Sequence, residues 1–206
     1  DNGYGSPGKD LVPRVAVGRL PARSPEEARE MVRKTLDFER TRAPGPWANR
    51  IHLLIGHPGG ATPLERRFAE WFVENAGATR FARLHPLWRA RIVLHAPASP
   101  FFVPDASLRE VTRRYLEEGQ VFSFYLGHSA APGLWSAGAP FLSRDDWATL
   151  KIAGGGGVLV TCGCFGCQLA GPDGEGYGLA ALRNPRGPAA VIGASGESYA
   201  AAGQLA

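Results

Sequence analysis

Short apolar runs alternate with longer amphipathic stretches along most of the 206-residue chain. The apolar runs are Arg14-Val-Ala-Val-Gly18, Arg50-Ile-His-Leu-Leu-Ile-Gly56, Arg91-Ile-Val-Leu-His95, Gln120 to Leu126, Val158 to Val160 and Pro188 to Ala194. They are too short for buried helices and are bounded by glycine, proline or charge, so each reads as a strand. Helical spacing fills the intervals. Ser24-Pro25-Glu26-Glu27 opens a helix with serine as N-cap, proline at the first position and glutamate at the third. Its apolar positions, Ala28, Met31, Val32 and Leu36 with Phe38 near the end, run to about Arg42, where Ala43-Pro-Gly-Pro46 stops it. A second helix starts near Pro63 with Phe68, Trp71 and Phe72 on one side, fades near Gly77, and leaves residues 79–89 ambiguous.

Three prolines between Ala96 and Pro104 demand a loop. Ser107 to Glu118 follows as an amphipathic helix, capped by Asp105 or Ser107, with Leu108, Val111 and Tyr115 inward. After the strand ending at Leu126 comes a long Gly/Ala/Pro-rich loop through Pro140. Short helices are expected at 144–150 and 177–183. Strands alternating with helices at this spacing imply a mainly parallel sheet with helices on both faces.

Composition changes this picture little. At 44% hydrophobic and 20% charged residues, the chain is an ordinary globular domain with one substantial core. No apolar run approaches the roughly 20 residues of a membrane helix. The opening Asp1-Asn-Gly-Tyr-Gly reads as the start of a fragment or a processed form, and is silent about secretion. The formal charge of +4 rests on arginines scattered among glutamates; Lys9, Lys34 and Lys151 are the only lysines. Scattered charge of this kind is a set of solvated helix faces, and a nucleic-acid stripe is not expected.

Candidate chemistry gathers at Gly157-Val-Leu-Val-Thr-Cys162-Gly-Cys-Phe-Gly-Cys167, a strand that stops at a thiol. The carboxyl ends of strands in an open parallel sheet are where ligands sit. Cys162, Cys164 and Cys167 are too close together to bridge simply, and an odd number leaves one thiol free. His128 has the same context, closing an apolar strand and opening a flexible loop. If the two strands are neighbours, a Cys–His pair follows: the imidazole takes the thiol proton, and the thiolate attacks a carbonyl. On the residues alone, a small buried cysteine beside a structural histidine is the leading reading. Cys164 is the alternative nucleophile, ranked below Cys162 because Cys162 stands directly at the strand end. A metal site at Cys162-x-Cys164-x-x-Cys167 ranks lower, since zinc sites usually use separated pairs. His52 and His95 lie in strand positions and read as packed or hydrogen-bonded. His57 stands on a loop at the same edge as the candidate site, and His85 has no supporting context.

The blocks Tyr125-Leu-Gly-His-Ser129 and Val158-Leu-Val-Thr-Cys162 resemble the two signature blocks of the gingipain-type cysteine peptidases, within the caspase-like group. Asp1-Asn-Gly-Tyr-Gly5, Val15-Ala-Val-Gly-Arg-Leu-Pro21, the helix closing on Asp37-Phe-Glu-Arg40, and Ala190-Val-Ile-Gly-Ala-Ser195 match in order. The resemblance implies a three-layer α/β/α sandwich of the caspase-like type. It also implies that residues 1–206 are the peptidase catalytic domain, a piece of a longer secreted or cell-surface bacterial protein with an upstream α/β subdomain. Cys162 would be the nucleophile and His128 the general base and acid. The N–H groups of Ser129 and Cys162 would form the oxyanion hole. Ser198 and Tyr199 would line the substrate pocket. Glu197 beside them is read first as a solvated acid and second as a partner for a basic side chain. The substrate is a peptide or protein, and no cofactor or metal is needed. The chain departs from the family pattern at Ser129, where glycine is usual, and at His57-Pro-Gly-Gly60, where an orienting carboxylate is expected. Those departures favour the alternative of a catalytically silent domain used for binding or surface assembly.

Overall fold

The computed structural model describes residues 15–40, 45–57, 63–83, 87–136, 138–154 and 156–198. In chain order these form α1 (Pro25–Arg40), a 3-10 turn (Pro46–Asn49), β1 (Arg50–Ile55), α2 (Pro63–Phe72), a π-turn (Val73–Ala78) and α3 (Thr79–Ala82). There follow β2 (Arg89–Leu94), α4 (Asp105–Glu117), β3 (Gln120–Leu126), β4 (His128–Ala130), β5 (Gly133–Ser136) and β6 (Ala139–Ser143). The chain continues through α5 (Arg144–Thr149), β7 (Gly156–Thr161), α6 (Tyr177–Arg183) and β8 (Pro188–Gly193). The main sheet is five-stranded in the order β2-β1-β3-β7-β8, and every pairing in it is parallel. All its carboxyl ends therefore point to one edge.

Alternation along β1 supplies two cores. Leu54 joins Tyr125 and Leu159 on one face, against Leu108 and Leu116 of α4, Trp147 of α5 and Tyr177 of α6. Leu53 and Ile55 join Ile92 and Leu94 on the other face, against Val73 of the π-turn. Full burial of each such side chain contributes about 1.5–3 kcal/mol. The first core also holds an apolar-lined polar layer. His52 lies opposite Ser123 in the β1–β3 register; these and Thr112 of α4 are wholly buried, and their side chains have no hydrogen-bond partner. Burial, with Arg50 and Arg91 adding to it, pushes His52 down to about 3. His52 is thus packed rather than hydrogen-bonded.

Local caps follow the sequence. Ser24 Oγ accepts the Glu27 N–H at 3.2 Å, and the Glu27 carboxylate accepts the Arg23 N–H at 2.7 Å. Ser143 and Asp146 form a reciprocal capping box at α5. The Asp146 carboxylate also binds Arg109 and Arg113 of α4 at 2.8 Å each. Burial opposes its ionisation, yet hydrogen bonds from Arg109, Ser143 and Arg113 hold it well below the ordinary carboxylate range.

Several expectations are corrected. Val15 to Leu20 forms no strand; none of the described strands pairs with it, and Val15, Val17 and Leu20 are exposed. An alternating pattern alone gives no strand without a ladder to join. On α1 the inward positions are Met31 and Lys34, while Val32 is exposed. The Lys34 ammonium donates to the carbonyls of Leu182 and Asn184, capping the end of α6. Burial lowers Lys34 to about 8. Trp71, expected inward, is exposed, and the side chains of Phe68 and Phe72 lie outside the described residues. The expected loop after His128 is instead the antiparallel sheet β4-β5-β6, anchored by buried Leu134, Phe141 and Leu142.

Candidate active site at the carboxyl edge of the sheet

β3 and β7 are adjacent, with Tyr125 opposite Thr161 at the last rung. The Cys162 N–H donates to the Tyr125 carbonyl at 2.9 Å, so the ladder runs one step beyond β7. Cys162 leaves the sheet just past β7, and His128 stands two residues past the end of the neighbouring β3, where β4 begins. Both side chains are exposed at this edge. They form no hydrogen bond with each other here.

The two loops are tied together beside these residues. Ser129 Oγ donates to the Cys164 carbonyl at 2.7 Å. Gly163 fits against Ser129 so closely that a Cβ there would lie 2.1 Å from Ser129 Oγ and 3.2 Å from the Gly127 carbonyl oxygen. Only glycine permits that approach. The buried Tyr125 hydroxyl reaches the carbonyls of His128 at 2.6 Å and Trp135 at 3.0 Å, fixing the backbone from which the imidazole projects. Burial, reinforced by Tyr177, pushes the Tyr125 phenol far up, so it remains a donor.

Thiol roles separate in the same way. All three cysteines are free. Cys164 Sγ accepts the Ser198 N–H at 3.3 Å and lies 3.5 Å from the Ser198 carbonyl, pinning the loop after β8. The N–H groups of Phe165 and Cys167 donate to Gly196 and Ala194, continuing that lacing. Phe165 holds a left-handed φ of 58°, a sparsely populated conformation for a bulky residue. Cys167 is partly buried, which raises its thiol. Among the described residues, no group of three or more His, Cys, Asp or Glu side chains is placed to hold a metal ion.

The remaining candidates fall as follows. Ser198 is half-buried and tethered to Cys164, and Glu197 is exposed beside it. Tyr199 and His85 lie outside the described residues. The Cys162 N–H, expected in the oxyanion hole, is engaged in the ladder with Tyr125. His57 lies at the end of β1, its Nε2 3.4 Å from the Glu70 carboxylate of α2. Glu70 was missed in the sequence because it reaches this edge from a helix thirteen residues downstream of His57, rather than from the adjoining loop.

The mainly parallel α/β sheet, with Cys162 just past β7 and His128 just past the adjacent β3, has the caspase-like fold. The sequence profile of Peptidase family C25 matches residues 1–206, and the chain belongs to this family, the gingipain family. Solved structures agree. "Structure of Protease" matches with a TM-score of 0.69 at 19% identity, covering 97% of this chain and 40% of that one. "Crystal structure of the Arg specific cysteine proteinase gingipain R (RGPB)" matches with 0.67 at 16% identity, covering 97% and 44%. "Complex of Porphyromonas gingivalis RgpB pro- and mature domains" matches with 0.68 at 15% identity, covering 97% and 45%. The chain thus spans less than half the length of each. No curated protein matches it.

Proposed function

We propose that the chain is the catalytic domain of a cysteine endopeptidase in which Cys162 is the nucleophile and His128 the general base and acid. The observation that carries this reading is the β3–β7 adjacency, which brings both residues to one edge on cross-tied loops. His128 takes the Cys162 proton, and Sγ attacks the scissile carbonyl carbon. The tetrahedral oxyanion is met by the Ser129 N–H and by the Cys162 N–H, which must leave the Tyr125 carbonyl to do so. His128 then protonates the amine as the C–N bond breaks, leaving a thioacyl enzyme. Water, deprotonated by His128, attacks that carbonyl, the C–S bond breaks and the thiol is restored.

Ser198, Tyr199 and Glu197 line the approach of the substrate side chain in this reading, with Glu197 the acid for a basic residue. The domain acts within a longer secreted or surface protein that has an upstream α/β subdomain. A catalytically silent binding domain is the second reading, and the engagement of the Cys162 N–H by the ladder favours it. Labelling with a peptidyl electrophile, read by mass spectrometry, decides. The peptidase reading expects modification at Cys162, absent in Cys162→Ala and strongly slowed in His128→Ala. Modification confined to Cys164 would overturn the assignment, and no modification would favour the silent domain.

A further inference from the structure

His95, just past the end of β2, bridges two groups. Its Nε2 lies 2.5 Å from Asp105 Oδ1, and its Nδ1 lies 2.6 Å from Ser136 Oγ. Ser136 Oγ in turn accepts the His57 N–H at 2.5 Å. The direction of this chain is set by its ends. A carboxylate only accepts, so Nε2 carries the proton toward Asp105. In the tautomer with that proton on Nε2 alone, Nδ1 accepts from the Ser136 hydroxyl, whose oxygen is left to accept from His57. Every member is satisfied once, head to tail.

The trio has the residue types of a serine hydrolase triad, but Ser136 is 1% exposed and no carbonyl substrate can reach it. Its connections point instead to the proposed site. Ser136 follows Trp135, which lies opposite His128 in the β4–β5 ladder, and the Tyr125 hydroxyl binds the carbonyls of both. His57 follows Gly56, whose N–H donates to the Leu126 carbonyl two residues before His128. A single hydrogen-bonded chain therefore joins the end of β1 to the strand paired with the histidine.

We propose that Asp105, His95 and Ser136 are positioning residues that clamp β1 to β5 and so hold His128 in place for the reaction. The inference rests on the Cys162–His128 reading. It assigns a role to a carboxylate that touches neither substrate nor His128, acting through backbone placement.

The test uses iodoacetamide alkylation of Cys162, followed residue by residue across pH, and hydrogen exchange at the His57 amide. Asp105 is largely exposed, so its variants are compatible with the fold. In Asp105→Ala, Cys162 alkylation at neutral pH is expected to fall about tenfold, a modest share of what misplacing a reacting group costs. His57 exchange should rise at least about tenfold, as expected for a lost local clamp. Asp105→Asn keeps an acceptor for Nε2 and should restore both readouts, which a purely electrostatic role for Asp105 would not allow. Ser136→Ala should reproduce the Asp105→Ala effects. Unchanged His57 exchange in Asp105→Ala, or raised exchange with wild-type alkylation, would overturn the proposal. Failure of the underlying reading looks different: Cys162 alkylation in the otherwise unaltered protein would then be indifferent to His128→Ala.

Discussion

Gly163→Ala is the sharpest perturbation of the site, because it adds one methyl group where the two loops touch. The new Cβ would lie 2.1 Å from Ser129 Oγ and 2.9 Å from Ser129 Cβ. The hydroxyl can rotate away, but Ser129 Cβ and the Gly127 carbonyl oxygen, 3.2 Å off, cannot. Ordinary contact begins near 3.4 Å, so the two loops must part by about 0.5 Å, which closely packed interiors do not absorb for free. A misplacement of about 1 Å costs on the order of a hundredfold in a positioned reaction, so half of that costs about tenfold. Cys162 labelling by a peptidyl electrophile should therefore slow by about that factor. The β3–β7 ladder lies behind the contact, so the melting temperature should fall by only a few degrees, as about 1–2 kcal/mol would do in a domain of this size. The diagnostic partner is Ser129→Gly, which deletes both clashing Ser129 atoms and keeps the backbone N–H. It loses the 2.7 Å bond to the Cys164 carbonyl. The double variant Gly163→Ala/Ser129→Gly should recover most of the labelling rate. If Gly163→Ala labels at the wild-type rate, or the second change brings no rescue, the loop contact does not set the dyad geometry and the argument fails.

Three further outcomes are expected. Tyr125→Phe removes the donor shared by the His128 and Trp135 carbonyls without leaving a cavity, and should destabilise by about 1–3 kcal/mol in urea unfolding. Cys162 labelling should slow at the same time; stability loss without slower labelling would detach Tyr125 from the site. Asp146→Ala breaks the α5 capping box and strips Arg109 and Arg113 of their carboxylate, costing about 3 kcal/mol, the low end for a buried pair because Arg109 is 60% exposed. A loss under about 1 kcal/mol in chemical denaturation would place this cluster among ordinary surface pairs. His52 gives a pH dependence of definite sign. Its folded value near 3 lies below the unfolded value, so below about pH 6.5 the unfolded chain binds the extra proton and stability falls. The slope approaches about 1.4 kcal/mol per pH unit at most, and His52→Leu should flatten the unfolding midpoint between pH 7 and pH 5.

What was legible in the sequence was the part that local chemistry decides. The strands ending at Ile55, Leu126, Thr161 and Gly193 announce themselves by short apolar runs, and the α1 start by Ser24, Pro25 and Glu27. The adjacency of β3 and β7, on which the proposed Cys162–His128 pairing rests, is a non-local fact that the family resemblance gave reason to expect. Lys34 and Val32 show where periodicity fails. Both lie on the same helix, but the orphan carbonyls at the end of α6 give an ammonium better solvation inside than the valine gains there. The antiparallel β4-β5-β6 sheet was hidden because its apolar anchors, Leu134, Phe141 and Leu142, are interrupted by Gly133, Gly138 and Pro140.

The missing orienting acid illustrates the deeper limit. Reading forward from His57, the sequence shows no Asp or Glu in the adjoining loop, and the chain looks short of a third catalytic group. In space, two carboxylates serve that corner from elsewhere. Glu70 meets the His57 ring from α2, and Asp105 reaches the His57 backbone through His95 and Ser136. Neither need touch the His128 ring. A general base requires a fixed orientation more than a particular neighbour, and backbone carbonyls held by Tyr125 together with a clamped β1 can provide it. Loss of the loop carboxylate is therefore a weaker argument for a silent domain than it first looks. If the positioning chain carries that role, Asp105→Ala will slow Cys162 more than any single substitution in the 57–60 loop.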